Sequence, residues 1–381
     1  MINNQEFSEI FNSNIEYSFK APARINLIGE HIDYNGGMVL PCAISLYTRC
    51  FISIRNDSKI VLKSKSFDNL IEVNFSNLDY NSNNDWANYP IGVFKVLKDK
   101  GFNIPYGLNI YYETEIPLGS GLSSSAAILD LTVYAINEIY NLNIDRLNIA
   151  LIAQEVENKY CGLSCGIMDE AIISLGMKNK ALLFDCNKIT YKYIDMKEGD
   201  YTYVVMKTNK PRKLTESKYN ERVFECNKAL KYIKTKYNIH SLCELDSKYL
   251  LDVESLLNDD VLYRRVKHVV LENERVYKYA KALTLGNYNE LGKLLNESDE
   301  SLKNNYEVTG THLDTITEAA RLAGAIGARM TGAGFGGCAI ALIKRNDFKD
   351  FSKKVKEYYL NKTNIQCDLF LVDIVDGVNN N

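Results

Sequence analysis

Apolar and polar positions alternate through the first third of the chain, the two-residue period expected of strands with one buried face. Residues 17–31 (YSFKAPARINLIGEH) read as a strand ending in a turn that contains Gly29, and 38–55, 60–65 and 70–75 repeat that composition between Asn-rich loops. A short amphipathic stretch, 7–12, precedes them. From Trp86 to Asp99 the spacing becomes helical, then 106–116 returns to strand alternation before Pro117. A helix is predicted from near Ser123 to Leu142 and another over 145–160, stopped by Gly162. Residues 181–187 and 201–209 read as strands and 217–237 as a helix with a polar face. The remainder mixes helices, including 313–325, with strands at 338–343 and 367–374, and 377–381 (GVNNN) reads as a polar tail. No solenoid period is visible.

Length turns this pattern into a domain count. A single hydrophobic core stops growing well before 381 residues, so the mixed pattern predicts two layered α+β domains with a cleft between them. The boundary falls in 187–200, giving domains 1–190 and 191–381. Composition is that of a folded protein, with 46% apolar and 24% charged residues, which excludes wholesale disorder. A net charge of -3 offers no broad case for nucleic acid or an anionic membrane. The most apolar stretch, 330–343, is too short and glycine-rich to span a bilayer, and the first twenty residues or so lack the form of a secretory signal. The expectation is a cytoplasmic monomer acting on small molecules. Nine cysteines, an odd number in a chain of this size, suggest reduced thiols. Cys161 and Cys165 are followed by no second close pair to complete a structural zinc quartet.

Four segments carry candidate chemistry. Residues 117–127 (PLGSGLSSSAA) place Gly119, Ser120, Gly121 and Leu122 before a helix that opens on Ser123, Ser124 and Ser125. Small residues let backbone N–H groups close on an anion at a helix start, and phosphate is the natural ligand; a Gly-rich turn with a capping serine is the plainer reading. The segment is neither GxxxxGK[ST] nor GxGxxG. Residues 331–337 (TGAGFGG) offer a second flexible turn, or simply a hairpin before a buried strand. Arg24, Glu30, His31 and Asp33 cluster at the end of a core strand, where carboxylates and imidazole can hold several hydroxyl groups and Arg24 can offset an oxyanion; a metal site or a capped turn would use the same residues. In 161–172 (CGLSCGIMDEAI), Asp169 stands beside apolar Ile167 and Met168, fit to accept a hydroxyl proton or to cap a helix. Glu157, on the preceding helix, either binds Mg2+ or faces water.

Taken together, ARINLIGEHIDYNGGMVLP (23–41), PLGSGLSSSAA (117–127) and TGAGFGG (331–337) resemble the galactokinase family of the GHMP kinase superfamily, and CGIMDE (165–170) and TNKPRKLTESKYNER (208–222) extend the resemblance over nearly the whole chain. Ala23, Glu170 and Ala333 stand where the family's common text has Gly, Gln and Gly. The resemblance implies a two-domain α+β GHMP kinase fold, with a ribosomal-S5-like N-terminal domain and a ferredoxin-like C-terminal domain. It implies transfer of the ATP γ-phosphoryl group to the C1 hydroxyl of α-D-galactose, the first committed step of galactose catabolism. It assigns sugar contacts to Arg24, Glu30, His31, Asp33, Gly166, Asp169 and Tyr219, with Asp169 as base and Arg24 as its electrostatic partner. It assigns the ATP phosphates to Gly119 through Ser125, Mg2+ to Ser125 and Glu157, and adenine to the neighbourhood of Trp86. An N-acetylgalactosamine kinase shares these motifs. So does a silent galactose/ATP sensor, against which the intact SSSAA and Asp169 argue.

Overall fold

The computed structural model describes every residue except 118, 164, 198 and 211–214, and residues 215 and 216 by backbone alone. Helix α1 (Asn4–Phe11) starts at Asn3, whose side chain accepts the Glu6 N–H while Glu6 accepts the Asn3 N–H, a reciprocal cap. In order there follow β1 (Tyr17–Asn26), β2 (Met38–Val39), β3 (Pro41–Ile54), β4 (Lys59–Ser64), β5 (Phe67–Asn74), α2 (Asn88–Asp99) and β6 (Leu108–Thr114). Three helices come next: α3 (Ser124–Tyr140), α4 (Arg146–Glu155) and α5 (Met168–Leu175). The hairpin of β7 (Lys180–Asp185) and β8 (Thr190–Asp195) leads to β9 (Tyr201–Lys207), then to helices α6 (Thr215–Ile233), α7 (Leu250–Leu257), α8 (Asp260–Leu285), α9 (Tyr288–Ser301) and α10 (Gly310–Leu322). Strands β10 (Gly327–Thr331) and β11 (Cys338–Lys344), helix α11 (Phe348–Thr363) and strands β12 (Asp368–Leu371) and β13 (Asn379–Asn380) complete the described chain.

The strands form three sheets. The first has the order β13-β1-β3-β6-β4-β5, antiparallel except for the β4 and β6 pair. The second, β10-β11-β9-β12, is antiparallel throughout, and so is the third, β2-β7-β8. Helix α3 is apolar on nearly every side, because it lies between the first sheet and other helices instead of on the surface. No helix among the described residues is long and apolar enough to cross a membrane.

Two elements depart from the sequence reading. The expected polar tail is a strand: Asn379 and Asn380 pair with Lys20 and Phe19, Val378 is buried, and its N–H donates to Ile173 O at 2.7 Å. Strand pairing uses backbone groups, so polar side chains gave no warning of it. Strand β8 is a second departure, because Thr190, Tyr191, Lys192 and Asp195 are exposed and only Tyr193 and Ile194 pack against the core, too few to impose an alternation. It pairs with β7 along its whole length, so we propose the domain division in the link from Asp195 to Tyr201, later than the 190/191 step.

What positions the site is the turn that leaves β1. The Gly29 N–H donates to Glu272 of α8 at 3.0 Å, and His268 of the same helix bonds the Glu30 carbonyl at 3.1 Å. Arg329 of β10, wholly buried, donates to the carbonyls of Leu27 (3.0 Å), Asn26 (2.6 Å) and Met330 (2.9 Å) and to Glu30 Oε1 (3.2 Å). A buried guanidinium is tolerated only with its donors engaged, so this cluster fastens the β1 turn firmly to the second sheet.

Candidate active site

A cavity of about 410 Å³ opens where the β1 turn, the loop before α3, the start of α5, α6 and the β10–β11 turn converge. Arg24, Glu30, His31, Asp33, Gly166, Asp169 and Tyr219 all line it, together with Gly119, Gly121, Ser123, Ser124, Ser125 and Glu157. Residues from both halves of the chain therefore share one space. Residues 118, 164 and 211–214 of the motifs lie outside the described residues.

At the cavity wall Arg24 grips Asp169 with two bonds, Nε to Oδ1 and Nη2 to Oδ2, each 2.7 Å. Its Nη1 donates to the Gly121 carbonyl at 2.7 Å, so one guanidinium ties the carboxylate to the loop before α3. Burial opposes the Arg24 charge, but Asp169 beside it holds the group above its ordinary value. Ser123 does not cap α3: it sits in left-handed conformation with no side-chain cap bond, and its hydroxyl instead donates to Asp169 Oδ2. Asp169 lies in the first turn of α5, whose cap position is Ile167, so it is no N-cap. Both plainer readings fail for one reason, a tertiary partner that outcompetes the local one.

Next to this pair, burial and then the charge of Asp169 push the Asp33 carboxyl up to about 7. Gly166 is there because nothing larger fits: a Cβ would stand 2.0 Å from Asp33 Oδ2. Gly166→Ala is expected to displace the Asp33 carboxylate and raise KM for the small molecule that this cavity takes about tenfold or more while thermal stability changes little; steady-state kinetics with a parallel melting curve checks this. The Asp33 shift has its own consequence. Its folded value exceeds the unfolded one, so the stability it contributes is complete below about pH 4 and is lost as pH rises through about 7. Asp33→Asn should flatten that decline and raise the melting temperature of the ligand-free protein at about pH 8, measured by calorimetry.

His31 has a left-handed backbone, φ 63°, held by the Asn35 side chain donating to its carbonyl at 2.9 Å. Its Nδ1 bonds Tyr34 Oη at 2.9 Å, and Tyr34 bonds Tyr306 at 2.8 Å, two tyrosines that the sequence reading did not single out. Burial lowers the imidazole pKa to about 3, so the ring is neutral. The Tyr219 ring lies 5.7 Å from it. Glu30 Oε1 accepts from the Gly332 N–H (2.9 Å), Thr331 Oγ1 (3.0 Å) and Arg329, which is how the 331–337 turn reaches the site. Gly332 has φ 82°, and a Cβ on it would meet the Gly121 carbonyl at 2.8 Å. The turn is thus both a hairpin and the cavity's second wall.

The loop before α3 fits an anion. Gly119, Gly121 and Ser123 have positive φ, a Cβ at Gly119 would meet nothing within 4 Å, and the Ser123 side chain does not cap the helix start. Ser120 and Leu122 are buried and stand outside the cavity lining. Glu157 belongs to a π-helical turn, 156–160, and is buried instead of facing water; among the described residues no cation pairs with it. With Ser125 in the same cavity it forms a hard-oxygen donor set that fits Mg2+. Trp86 lies in an adjoining cavity of about 220 Å³ that shares Ser124 and Ser125 with the first, stacked 5.8 Å from Phe67.

Known proteins resemble this chain in sequence and fold. Residues 5–54 match the galactokinase galactose-binding signature, 88–177 the GHMP kinases N terminal domain and 279–361 the GHMP kinases C terminal domain. The chain is 43% identical to the galactokinase of Clostridium beijerinckii over 98% of its length and 96% of that protein's, and 45% identical to that of Staphylococcus saprophyticus over 98% of each. The chain belongs to the galactokinase family. A crystal structure of Lactococcus lactis galactokinase complexed with galactose superposes with a TM-score of 0.96 at 40% identity, covering 99% of this chain and 98% of that one. Mevalonate kinase from Methanococcus jannaschii, 22% identical with a TM-score of 0.68 over 94% of this chain and 98% of that one, shares the fold. The two-domain GHMP kinase architecture expected of the galactokinase family is therefore present. Of its departures from the family text, Ala23 sits at a β-bulge in β1 and Ala333 lines the cavity. Glu170 is fully buried, and burial followed by the nearby Glu157 holds its carboxyl well above the ordinary range.

Proposed function

We propose that this chain transfers the γ-phosphoryl group of ATP to the C1 hydroxyl of α-D-galactose, giving α-D-galactose 1-phosphate and ADP. The observation that carries this reading is the Arg24–Asp169 pair, set between the hydroxyl-binding residues and, through Gly121, the anion-binding loop. Glu30, His31, Asp33 and Tyr219 present acceptors and donors in a cavity of sugar size and fix the hydroxyl groups in direction. Asp169, aligned by Arg24 and Ser123, takes the C1 hydroxyl proton as that oxygen bonds to phosphorus and the bond from phosphorus to the ADP oxygen breaks. The Arg24 guanidinium offsets charge on the transferring oxygens without reorienting, because Asp169 and Gly121 already hold it.

The backbone of 119–125 holds the phosphates, Ser125 and Glu157 would hold Mg2+, and the Trp86 cavity takes the adenine. When bound, ATP supplies the phosphoryl group and Mg2+ the positive charge that neutralises phosphate oxygens. Turnover of a sugar panel with ATP and Mg2+ tests the reading: galactose should exceed N-acetylgalactosamine, glucose, arabinose and mevalonate. Preferred turnover of any other member would overturn the substrate, and binding of galactose and ATP without turnover would identify a sensor.

A further inference from the structure

Behind the Arg24–Asp169 pair lies a second cluster, of which the proposed reaction uses only Glu157. Cys165 Sγ stands 3.3 Å from Glu157 Oε2 and 3.7 Å from Glu170 Oε1, and one ligand atom from each of the three lies within 4.8 Å of the others. A tetrahedral ion bonded to sulfur at about 2.3 Å and to oxygen at about 2.0 Å separates those ligands by about 3.5 Å. Both carboxylates are buried, and Glu170 Oε2 is enclosed without a hydrogen-bond partner. Among the described residues no Arg, Lys or His forms an ion pair with either carboxylate, so the groups facing them across the cluster are each other and the Cys165 thiol.

The thiol is also held in place. The Cys165 N–H donates to Asn158 Oδ1 at 2.9 Å, and its carbonyl accepts from Gln154 at 3.3 Å and Asn158 at 3.4 Å. Glu157 on the π-helical turn, Cys165 on the loop and Glu170 on the first turn of α5 thus converge from three segments. Glu157 and Cys165 also line the cavity, which leaves a fourth position for water.

We propose that Glu157, Cys165 and Glu170 form a binding site for one thiophilic divalent cation of the Zn2+ class. Neither paired cysteines nor histidines mark the site along the chain, because carboxylates supply two of the three ligands. The site shares Glu157 with the Ser125 and Glu157 pair, so Zn2+ held there withdraws that carboxylate from Mg2+. This consequence, unlike the binding itself, rests on the proposed kinase reading.

Titrating the full, reduced protein with Co2+ tests the binding without reference to turnover. One equivalent should give the visible bands of a four-coordinate ion and a near-ultraviolet thiolate-to-metal band, both erased by Zn2+. Cys165→Ser should abolish the thiolate band, Glu170→Gln should weaken binding tenfold or more, and Cys186→Ser should change neither. Absence of the thiolate band in wild-type protein, its survival in Cys165→Ser, or undiminished affinity in Glu170→Gln would each overturn the site. Should Cys165→Ser not fold, the Glu170→Gln affinity decides alone.

Discussion

Replacing Asp169 by Asn is expected to lower kcat by about 10²- to 10⁴-fold, the span over which a positioned general base acts, while galactose still binds. Asn keeps the shape beside Arg24 and Ser123 but loses the negative charge and the capacity to take a proton. Because the loss falls on a step that follows binding, kcat and kcat/KM should drop together. Some stability should go as well, since the guanidinium of Arg24 is nearly enclosed and its only paired carboxylate among the described residues is Asp169. Rapid-quench kinetics with calorimetric titration of galactose separates the two effects. Near-normal turnover in Asp169→Asn would remove the proposed base.

Arg24→Met is expected to cost about 10²- to 10³-fold in kcat, in the range seen when one preorganised charge stabiliser is deleted. The methionine fills much of the apolar stem's volume but supplies none of the three bonds that reach Asp169 and Gly121. Two further outcomes follow from the geometry. Arg24→Lys should recover little, because an ammonium cannot reproduce the two-pronged grip. Combining Arg24→Met with Asp169→Asn should cost far less than the product of the single losses, since each residue acts through the other. Fully multiplicative losses would mean that the two work independently.

Much of this site was readable along the chain because its loops are written in residues with strong local meaning. Gly119, Gly121 and Gly332 mark backbone that L side chains rarely adopt, and all three lie at the cavity as their spacing suggested. The strands of the first sheet were readable for a similar reason, since burial of one face imposes alternation. What escaped depended on partners far away in sequence. Ser123 looks like a cap and serves Asp169 instead, 46 residues on; Arg329 looks like an ordinary strand arginine and holds Glu30 and the β1 turn. Likewise Asn379 and Asn380 form a strand by backbone pairing with Lys20 and Phe19, and Glu157, left open along the chain between Mg2+ and water, is buried.

We propose that Asp169 and Arg24 act on the C1 oxygen of galactose, and the position of the new phosphate is the sharpest test of that role. Phosphorus NMR with proton coupling on the product of ATP, Mg2+ and galactose should show a phosphate coupled to the anomeric proton of an α-galactopyranoside. Phosphate on the C6 oxygen, or ADP released with no sugar phosphate formed, would contradict it.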